Sequence, residues 1–578
     1  MRVIPRISGN EKRTEGATPA QSRRLDSERQ RCPETENSME FLLVPGEEKV
    51  LPDRYPAHEE RENSMAKDET FSFQLAFYTA YPTSYRVKTE SDIDAFITCR
   101  KTELVPCTFP KYSSFDEWFL SDKPFLCPDV LTPLDGTFTA NTYSGWNTIR
   151  FTVRGKLKAG TYPIRILLTT LKDEVLIDTV YTLTVKNFTL GESRLIYTSW
   201  FHYDGIAQYY HLPVFSREYN KIMDDFIKVA VDHGMNMLLI PMFTPPLDTR
   251  IGGERLTVQL VDVTKTEDSY EVSLDRLITF MKHVKKLGTR YFEMSHLFTQ
   301  WGACAAPKVI ATTKEGKHRI FGWDTPAVGG EYEKFLRVFL PALRERLIAE
   351  GLYENAYFHL SDEPNEAHFE NYTAVKDLFY SLMPDAKGMD ALSHYGYYER
   401  GLVKCPVVAT NYITPFLENH VEGLWAYYCC GQGNNYLSNR LIAMPGERTR
   451  ALGFQLWLCK VVGFLQWGYN FYNSLLSERP IDPYLVNDAG GAFPSGDPFV
   501  VYPSQDGHAL DSVRHEIFYD AIQDYNLMCV AEEKLGRDAA AKLLTDLGFR
   551  ENFTDYPHDT AALKAARRAV QNAIVAAK

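Results

Sequence analysis

The stretch AYFHLSDEP, residues 356–364, shows the pattern from which the fold follows, and it also raises the question of function. An apolar run ends in two adjacent carboxylates, Asp362 and Glu363, and Pro364 then stops the element. Adjacent acids repel each other, so the pair is either a turn that caps the next helix or a site. The surrounding sequence distinguishes these two interpretations.

Eight apolar runs that are predicted as strands, with helical stretches among them, lie within residues 191–530. The predicted strands are 194–201, 235–243, 289–298, 356–363, 386–392, 406–413, 424–430 and 463–472. The predicted helices are 216–233, 273–287, 331–350, 366–382 and 446–461, with a last helix at 510–528. Alternating strands and helices indicate βα units, and eight such units predict a (β/α)8 barrel, or TIM barrel, with insertions.

The remaining sequence divides into three segments. Residues 39–190 contain short β-rich runs such as TFSFQLAFYTA and WNTIRFTVRG between Gly, Pro and Asp turns, which is typical of a β-sandwich. Residues 1–38 are polar and charged without apolar periodicity and are predicted to be disordered, whereas residues 531–578 are Ala-rich and predict a short helical tail. The predicted fold class is therefore α/β with an all-β domain: an N-terminal β-sandwich, a (β/α)8 barrel and a helical C-terminal tail.

The composition argues against several classes of protein. The 63 basic and 75 acidic residues give a net charge of -12, which disfavours nucleic-acid and anionic-membrane partners. Ten cysteines without a CxxC pair or a His/Cys ligand spacing indicate neither a zinc site nor a redox motif, so we expect no metal and no cofactor. The vicinal pair Cys429–Cys430 is interpreted as core. Without a secretory signal or a transmembrane segment, a cytoplasmic location is predicted.

The strand ends are the predicted site, because the βα loops of such a barrel converge on one mouth at the C-terminal ends of the strands. Asp362 and Glu363 end the fourth strand. Other strand ends supply further candidates for substrate contact, namely Asp248, His296, Asn411, Tyr412, Trp425, Tyr427, Trp467 and Asn470. Packing in the barrel core explains the aromatic residues equally well, and a hydrogen-bonded structural role is common for a histidine. A GxSxG elbow, a phosphate cradle and a Cys/His couple are all missing from the sequence, which disfavours esterase, kinase and thiol-protease chemistry.

Paired acids beside aromatic residues favour cleavage of a glycosidic bond, in which one acid protonates the leaving oxygen. The usual retaining enzyme has a carboxylate nucleophile about 5–5.5 Å from that acid. The sixth and seventh predicted strands, however, end in TNYI and AYYCC without a carboxylate. Neighbouring residues of one strand also point in different directions, which places Asp362 and Glu363 poorly for flanking a bond. We therefore predict that Glu363 is the acid/base and that Asp362 holds a substrate group, such as a 2-acetamido group, that acts as nucleophile.

Six motifs occur in one order along the chain. They are FTPPLDT (243–249), GGERLTVQLVDV (252–263), HLSDEP (359–364), LWAYYCC (424–430), GFLQWGYNFYN (463–473) and GDPFVVYPSQDGHALDSVRHEIFYDAIQDYNLM (496–528). Together they resemble glycoside hydrolase family 123, the retaining β-N-acetylgalactosaminidases, over most of the chain from about residue 40 to 530. The resemblance implies a β-sandwich followed by a (β/α)8 barrel. It also implies that Asp362 orients and polarises the acetamido group while Glu363 acts as general acid and then base through an oxazoline intermediate.

The predicted function is removal of terminal β-linked N-acetylgalactosamine from the non-reducing end of a glycan or glycolipid, by substrate-assisted retaining hydrolysis. Two alternatives stay open: hydrolysis of another 2-acetamido sugar such as β-GlcNAc, and sugar binding without catalysis. Mutual repulsion within the acid pair further predicts that one pKa is raised, so that Glu363 is protonated while Asp362 stays charged.

Overall fold

The computed structural model describes residues 39–81, 83–141 and 144–577, and the predicted disordered extension, residues 1–38, lies outside them. The strands are β1 Phe41–Pro45, β2 Glu62–Met65, β3 Phe71–Thr79, β4 Ser84–Glu90, β5 Ile97–Cys107, β6 Phe125–Pro133, β7 Thr137–Thr139, β8 Gly145–Val153, β9 Gly160–Thr170, β10 Val175–Val185, β11 Ile196–Ser199, β12 Met237–Ile240, β13 Asp262–Lys265, β14 Tyr270–Ser273, β15 Tyr291–Met294, β16 Val309–Thr313, β17 Gly316–Phe321, β18 Ala356–His359, β19 Lys387–Leu392, β20 Cys405–Ala409, β21 Trp425–Tyr427, β22 Gly463–Gln466, β23 Tyr502–Pro503 and β24 Ala509–Ser512.

The helices are α1 Tyr203–Tyr209, α2 Arg217–Asp232, α3 Asp275–Lys286, α4 Glu331–Ala349, α5 Phe369–Leu382, α6 Tyr395–Glu399, α7 Thr414–Glu418, α8 Gly446–Arg450, α9 Leu452–Leu458, α10 Val513–Leu535, α11 Arg537–Thr545 and α12 Thr560–Ala576. Among the described residues, none of these helices is both long enough and apolar enough to cross a bilayer.

Two sheets from the first part of the chain share a core. The first has the strand order β1-β3-β8-β5-β6-β24-β23, and the second has the order β2-β10-β9-β4-β7. Alternate residues are buried along most of β10, as a strand with one face in a core requires. Tyr181 of β10 stacks on Phe73 of β3 with ring centroids 3.9 Å apart, which joins the two sheets. Strands β23 and β24 come from the far end of the chain, so the later part of the sequence completes the first sheet.

The later part of the chain forms an eight-stranded sheet in which every neighbouring pair is parallel, in the order β11-β22-β21-β20-β19-β18-β15-β12. All eight predicted strands occur in it, so this prediction is confirmed. The outermost strands of this order, β11 and β12, lie beside each other. The Asn236 N–H donates to Tyr197 O over 3.2 Å, and Asn236 Oδ1 accepts from Tyr197 N over 2.9 Å. The sheet is therefore barrel-like.

Apolar side chains fill the inside of this sheet. Met237 and Leu239 of β12 share one buried cluster with Met389 and Ala391 of β19, at alternate positions of each strand. Because the middle of the sheet is packed in this way, the polar side chains that follow the strands collect at its C-terminal edge. The site is expected at that edge.

The predicted helices are found with some differences. Ser216 caps α2, since its Oγ accepts from the Tyr219 N–H. The predicted helix at 446–461 is instead two short helices, α8 and α9. Close packing accounts for glycine at position 453, where a Cβ would lie 1.9 Å from Ala521 O of α10. Helix α10 is longer than predicted and is buried along most of its length.

A four-stranded sheet, in the order β14-β13-β16-β17, has no counterpart in the sequence-based prediction. Its strands belong to the long segments that follow β12 and β15. Those segments also carry Asp248 and the pair Gln300–Trp301, and a bridge between Thr244 and Lys308 ties them together. The extra sheet thus connects two of the segments that form the mouth of the barrel-like sheet.

Candidate active site

A cleft with a cavity volume of about 250 Å³ opens where the parallel strands end. Its wall is mainly apolar and aromatic, and it contains three carboxylates. The lining residues are Trp200, Leu247, Asp248, Gln300, Trp301, Asp362, Glu363, Ala391, Tyr427, Cys429, Cys430, Leu465, Trp467, Leu475, Leu476 and Phe493. A wall of this kind suits a ligand that combines flat apolar faces with a few polar groups.

The acid pair lies just beyond the end of β18, in a turn. Glu363 has a φ of 44°, in the left-handed region that residues other than glycine rarely adopt. Two contacts from other segments hold the turn: the Glu363 N–H donates to Ala391 O over 3.0 Å, and the Trp301 N–H donates to Asp362 O over 2.8 Å. Both side chains line the cleft, Glu363 exposed and Asp362 half-buried. The alternation expected within a strand does not apply to the pair, because β18 already ends at His359.

Tyr427, at the end of β21, positions the Glu363 carboxyl group. Its Oη donates to Glu363 Oε1 over 2.7 Å. Burial, followed by the nearby charge of Glu363, raises the pKa of Tyr427 well above its usual range. The phenol therefore stays protonated and acts as a donor.

A chain of buried side chains lies behind Asp362. Glu293 of β15 accepts at Oε1 from Trp200 Nε1 and from His359 Nδ1, both over 2.8 Å, and at Oε2 from Thr198 Oγ1 over 2.9 Å. Nε2 of His359 lies 3.4 Å from Asp390 Oδ1. All three members of the chain, Glu293, His359 and Asp390, are fully buried.

Asp390 also supports the turn that carries the acid pair. Its Oδ2 accepts from the Ser361 N–H over 3.0 Å and from Tyr372 Oη over 2.7 Å. Burial opposes the charged form of His359, but its hydrogen bonds to Asp390 and Glu293 and their charges raise the pKa of His359 to about 10. The imidazolium of His359 therefore balances part of the negative charge of Glu293 and Asp390.

His296 stacks on His359, with ring centroids 3.9 Å apart, and is fully buried. Burial, and then the charge of His359, lowers the pKa of His296 well below its usual range, so this imidazole is neutral. We call the five residues Glu293, His296, His359, Asp362 and Asp390 the site cluster.

The raised pKa within the acid pair belongs to Asp362. Burial is the main cause, and the charge of Glu363 adds to it, so the pKa of Asp362 lies well above its usual range. The upward shift thus falls on Asp362, whereas the sequence-based expectation placed it on Glu363. The reason is that Asp362 turns toward the buried carboxylates Glu293 and Asp390, a surrounding that the sequence alone does not reveal.

Three of the eight residues predicted to contact substrate line the cleft: Asp248, Tyr427 and Trp467. The backbone of Asp248 is held from two sides, because its N–H donates to Gln300 Oε1 and its O accepts from Ser477 Oγ, each over 2.8 Å. Oδ2 of Asp248 is buried without a hydrogen-bond partner among the described residues, and burial raises the pKa of this carboxyl to about 6. Trp467 is fixed by a 2.9 Å hydrogen bond from its Nε1 to Asp497 Oδ2.

The other five lie away from the cleft wall. Trp425 is two residues before Tyr427 on the same inward face, one layer deeper, and it packs in the barrel core. Asn470 binds the backbone of His202, and His296 is buried in the site cluster. Asn411 accepts from Gln432, and Tyr412 is exposed outside the cleft. We therefore do not propose these five as substrate contacts.

Several residues of the site were missed by reasoning from the sequence. Cys429 and Cys430 are half-buried and line the cleft, and Cys429 also packs against the barrel core, so the interpretation as core holds in part for Cys429. Glu293 and His359 were missed because each lies inside a short apolar strand. A charged or titratable residue inside a fully buried strand is costly without a partner, and this was the available signal.

Comparisons with known proteins extend this description. The family model "Glycoside hydrolase 123, catalytic domain" matches residues 200–531, more than half of the 578 residues. No curated protein matches the sequence significantly. Among solved structures, a family 123 glycoside hydrolase from Clostridium perfringens, studied for glycolipid glycan hydrolysis, is similar with a TM-score of 0.70 and 14% identity, over 93% of this chain and 97% of that chain. A GH5 xyloglucanase from Bacteroides ovatus reaches a TM-score of 0.31 at 7% identity, over 81% of this chain and 99% of that chain.

The Clostridium perfringens enzyme shares the fold of this chain. The range that the family model matches, residues 200–531, contains every carboxylate of the cleft. The chain belongs to glycoside hydrolase family 123.

Proposed function

We propose that this glycoside hydrolase removes terminal β-linked N-acetylgalactosamine from a glycan or glycolipid by substrate-assisted, retaining hydrolysis. The observation that carries the proposal is the placement of Asp362 and Glu363 side by side in one cleft, with Tyr427 bonded to Glu363. Two adjacent carboxylates act from one side of a sugar, and the opposing nucleophile is then supplied by the sugar's own acetamido group.

Each group has a defined part in the reaction. Glu363 gives its proton to the glycosidic oxygen while the acetamido carbonyl oxygen attacks C1, which releases the leaving group and forms an oxazoline protonated on its nitrogen. Asp362 accepts a hydrogen bond from the acetamido N–H and thereby holds the acetamido carbonyl oxygen in position for its attack on C1. Glu363 then takes a proton from water, which attacks C1 from the face that the leaving group occupied, so the anomeric configuration is retained.

Two further lining residues are proposed to bind the sugar. Trp467, locked by Asp497, presents a flat apolar ring to the cleft. Asp248 brings a buried carboxyl oxygen that lacks a partner in the described part of the chain, which suits a sugar hydroxyl donor. A glycan or glycolipid end fits this wall, and the similar Clostridium enzyme was studied for glycolipid glycans.

The finer architecture and the location belong to the same proposal. We take the barrel-like sheet as a (β/α)8 TIM barrel spanning residues 191–530, the N-terminal sheets as a β-sandwich of residues 39–190, and residues 531–578 as a helical tail. A cytoplasmic location stays a prediction, and fractionation of cells that produce the protein tests it.

A panel of aryl β-glycosides that differ at C2 and C4 tests the function. We expect turnover of the β-GalNAc compound, little turnover of the matching β-galactoside, and a loss of about two or more orders of magnitude in the variant Glu363→Gln. Equal rates on the two galacto-configured compounds would exclude the acetamido nucleophile. A preference for β-GlcNAc would change the assigned sugar, and sugar binding without turnover would identify a glycan-binding protein.

A thiazoline analogue of the oxazoline separates this mechanism from one that uses Asp248 as a carboxylate nucleophile. We expect competitive inhibition, since the analogue occupies the position of the cyclised acetamido group. Indifference of the enzyme to the thiazoline, together with a glycosyl group trapped on Asp248, would replace the proposed mechanism.

A further inference from the structure

Unpartnered buried atoms collect behind Asp362. Neither ring nitrogen of His296 has a hydrogen-bond partner in the described part of the chain. Within the same part, His359 Nε2 and Asp390 Oδ1 have only their long contact of 3.4 Å with each other. Buried polar atoms in native proteins are almost always paired, with another group of the protein, with water or with an ion. The unpartnered imidazole of His296, next to this long contact, therefore indicates that a further group, water or an ion, binds there.

His296, His359 and Asp362 together offer a set of metal ligands. One nitrogen each of His296 and His359 and one carboxylate oxygen of Asp362 all lie within 4.8 Å of one another. The two imidazole rings are stacked, with centroids 3.9 Å apart and planes inclined by 27°. The described structure places no hydrogen bond on the Asp362 carboxylate, so this group is free to serve as a ligand.

A supporting carboxylate is already in place. Glu293 Oε1 accepts from His359 Nδ1 over 2.8 Å, which turns Nε2 of the same ring away from Glu293. Metal-binding histidines are usually oriented by a carboxylate on their second nitrogen in this way. Trp200 and Thr198 in turn hold Glu293.

We propose that His296, His359 and Asp362 form a binding site for a divalent transition-metal ion such as Zn²⁺, and that the bound ion inhibits the enzyme. Two imidazoles and one carboxylate suit Zn²⁺ and Co²⁺, whereas Mg²⁺ and Ca²⁺ prefer sets of oxygen ligands. Inhibition rests on the proposed function, because an Asp362 that ligates the ion no longer accepts the acetamido N–H.

A second group of similar composition shows why the proposal is specific. His233, Asp511 and His515 also offer three ligand atoms within 4.8 Å of one another. There, however, most of the donors are already used: His233 Nε2 lies 2.6 Å from Asp511, His233 Nδ1 bonds to Val229 O over 2.7 Å, and His515 Nδ1 lies 2.8 Å from the other Asp511 oxygen. Of these three residues, only His515 has a ring nitrogen, Nε2, without a partner among the described residues. This group supplies the control.

Calorimetry with ZnCl₂ on the chelator-treated full chain tests the site. We expect one Zn²⁺ per chain, with affinity at least tenfold weaker in His296→Gln and in Asp362→Asn. His515→Gln and Cys430→Ser should bind like the wild type, since they remove an imidazole elsewhere and a cleft thiol. With Co²⁺, the visible spectrum should show nitrogen and oxygen ligation without thiolate charge-transfer bands.

Three results would overturn the site: absence of Zn²⁺ binding, in which case water fills the space; unchanged binding in both His296→Gln and Asp362→Asn; or loss of binding in His515→Gln or Cys430→Ser. Using two variants keeps the test decisive if His296→Gln fails to fold.

Turnover of an aryl 2-acetamido glycoside against Zn²⁺ concentration tests the inhibition. We expect competitive inhibition with a constant equal to the calorimetric Kd, reversed by EDTA. Zn²⁺ binding without inhibition would overturn the inhibitory role. Zn²⁺ binding by a protein that hydrolyses no glycoside of the panel would instead contradict the proposed function and leave the metal site standing.

Discussion

Two buried groups of histidines and carboxylates in this chain differ in how their charges are paired. In the interface cluster, which we define as His233, Asp511, His515, Glu516 and Arg100, the first sheet meets α2 and α10. Arg100 pairs with both Asp511 and Glu516, and His233 pairs with both as well. The site cluster, in contrast, holds three carboxylates against one imidazolium, without an arginine contact on any of its members in the described structure.

The difference separates stability from function. A buried charge with complete pairing fixes the packing of elements, and removing one partner leaves the other uncompensated. A buried group whose acidic residues outnumber their cationic partners is destabilising by itself, and such groups are concentrated where a ligand later supplies the missing partner. Substitutions should therefore act mainly on activity in the site cluster and mainly on stability in the interface cluster.

Asp362→Asn should produce the largest effect on activity with little cost in stability. Turnover of an aryl β-GalNAc should fall by about two to four orders of magnitude, because the acetamido group is no longer oriented. The free energy of unfolding should stay the same or rise, since burial already disfavours the charged form of Asp362. Kinetics and denaturant unfolding measure the two quantities.

Asp377→Asn, an exposed position on α5, is the matched control and should change neither quantity. A destabilised Asp362→Asn variant with near-normal turnover would place Asp362 with the structural groups.

Glu516→Gln should show the opposite behaviour in the interface cluster. The change keeps the shape of the side chain but leaves Arg100 and the fully buried Arg150 without their shared carboxylate. Breaking a buried pair in this way should lower the free energy of unfolding by about 3–5 kcal/mol, with kcat of the folded fraction unchanged. Urea unfolding followed by fluorescence measures it.

Glu533→Gln lies on the same helix, with an exposed side chain, and should have no measurable effect. Equal stability of the Glu516 and Glu533 variants would show that the pairing of the interface cluster is not what holds these elements together.

His233 makes the stability of the interface cluster depend on pH. Burial opposes its charge, but Asp511 and Glu516 raise the pKa of His233 to about 9, against 6.5 for a free histidine. Because the folded-state pKa is the higher one, the contribution of His233 is complete below pH 6.5 and is lost as the pH rises through about 9. The difference in unfolding free energy between wild type and His233→Gln should thus shrink by up to about 3 kcal/mol over this window. Parallel pH curves for the two proteins would contradict the pairing.

The eight strands were predictable because each is a short apolar run between turn and helix signals, a local property of the sequence. The acid pair was predictable for the same reason, since Asp362 and Glu363 follow a recognisable strand. The contacts among the buried residues of the site cluster could not be predicted. Glu293, His359 and Asp390 come from three different strands, and their contact depends on the order of strands in the sheet. Trp425 and Tyr427 point to the same side of β21, and which of them reaches the cleft depends on its depth inside the barrel-like sheet. The alternation of side chains along a strand does not determine that depth.

Tyr427→Phe should give the smallest effect and test how the cleft side of the site is held. The variant loses the 2.7 Å hydrogen bond to Glu363 Oε1 but keeps the aromatic wall. Loss of one hydrogen bond to an ionisable group should lower kcat about tenfold, or about 1.4 kcal/mol in the barrier, with little change in KM. Tyr428→Phe is a matched control in the next residue, because its buried Oη has no partner among the described residues and its removal should leave both stability and kcat intact. If the two variants have equal kcat values, Tyr427 only fills space and Glu363 is oriented by its own strained turn. A tenfold separation between them would instead assign that orientation to the phenol.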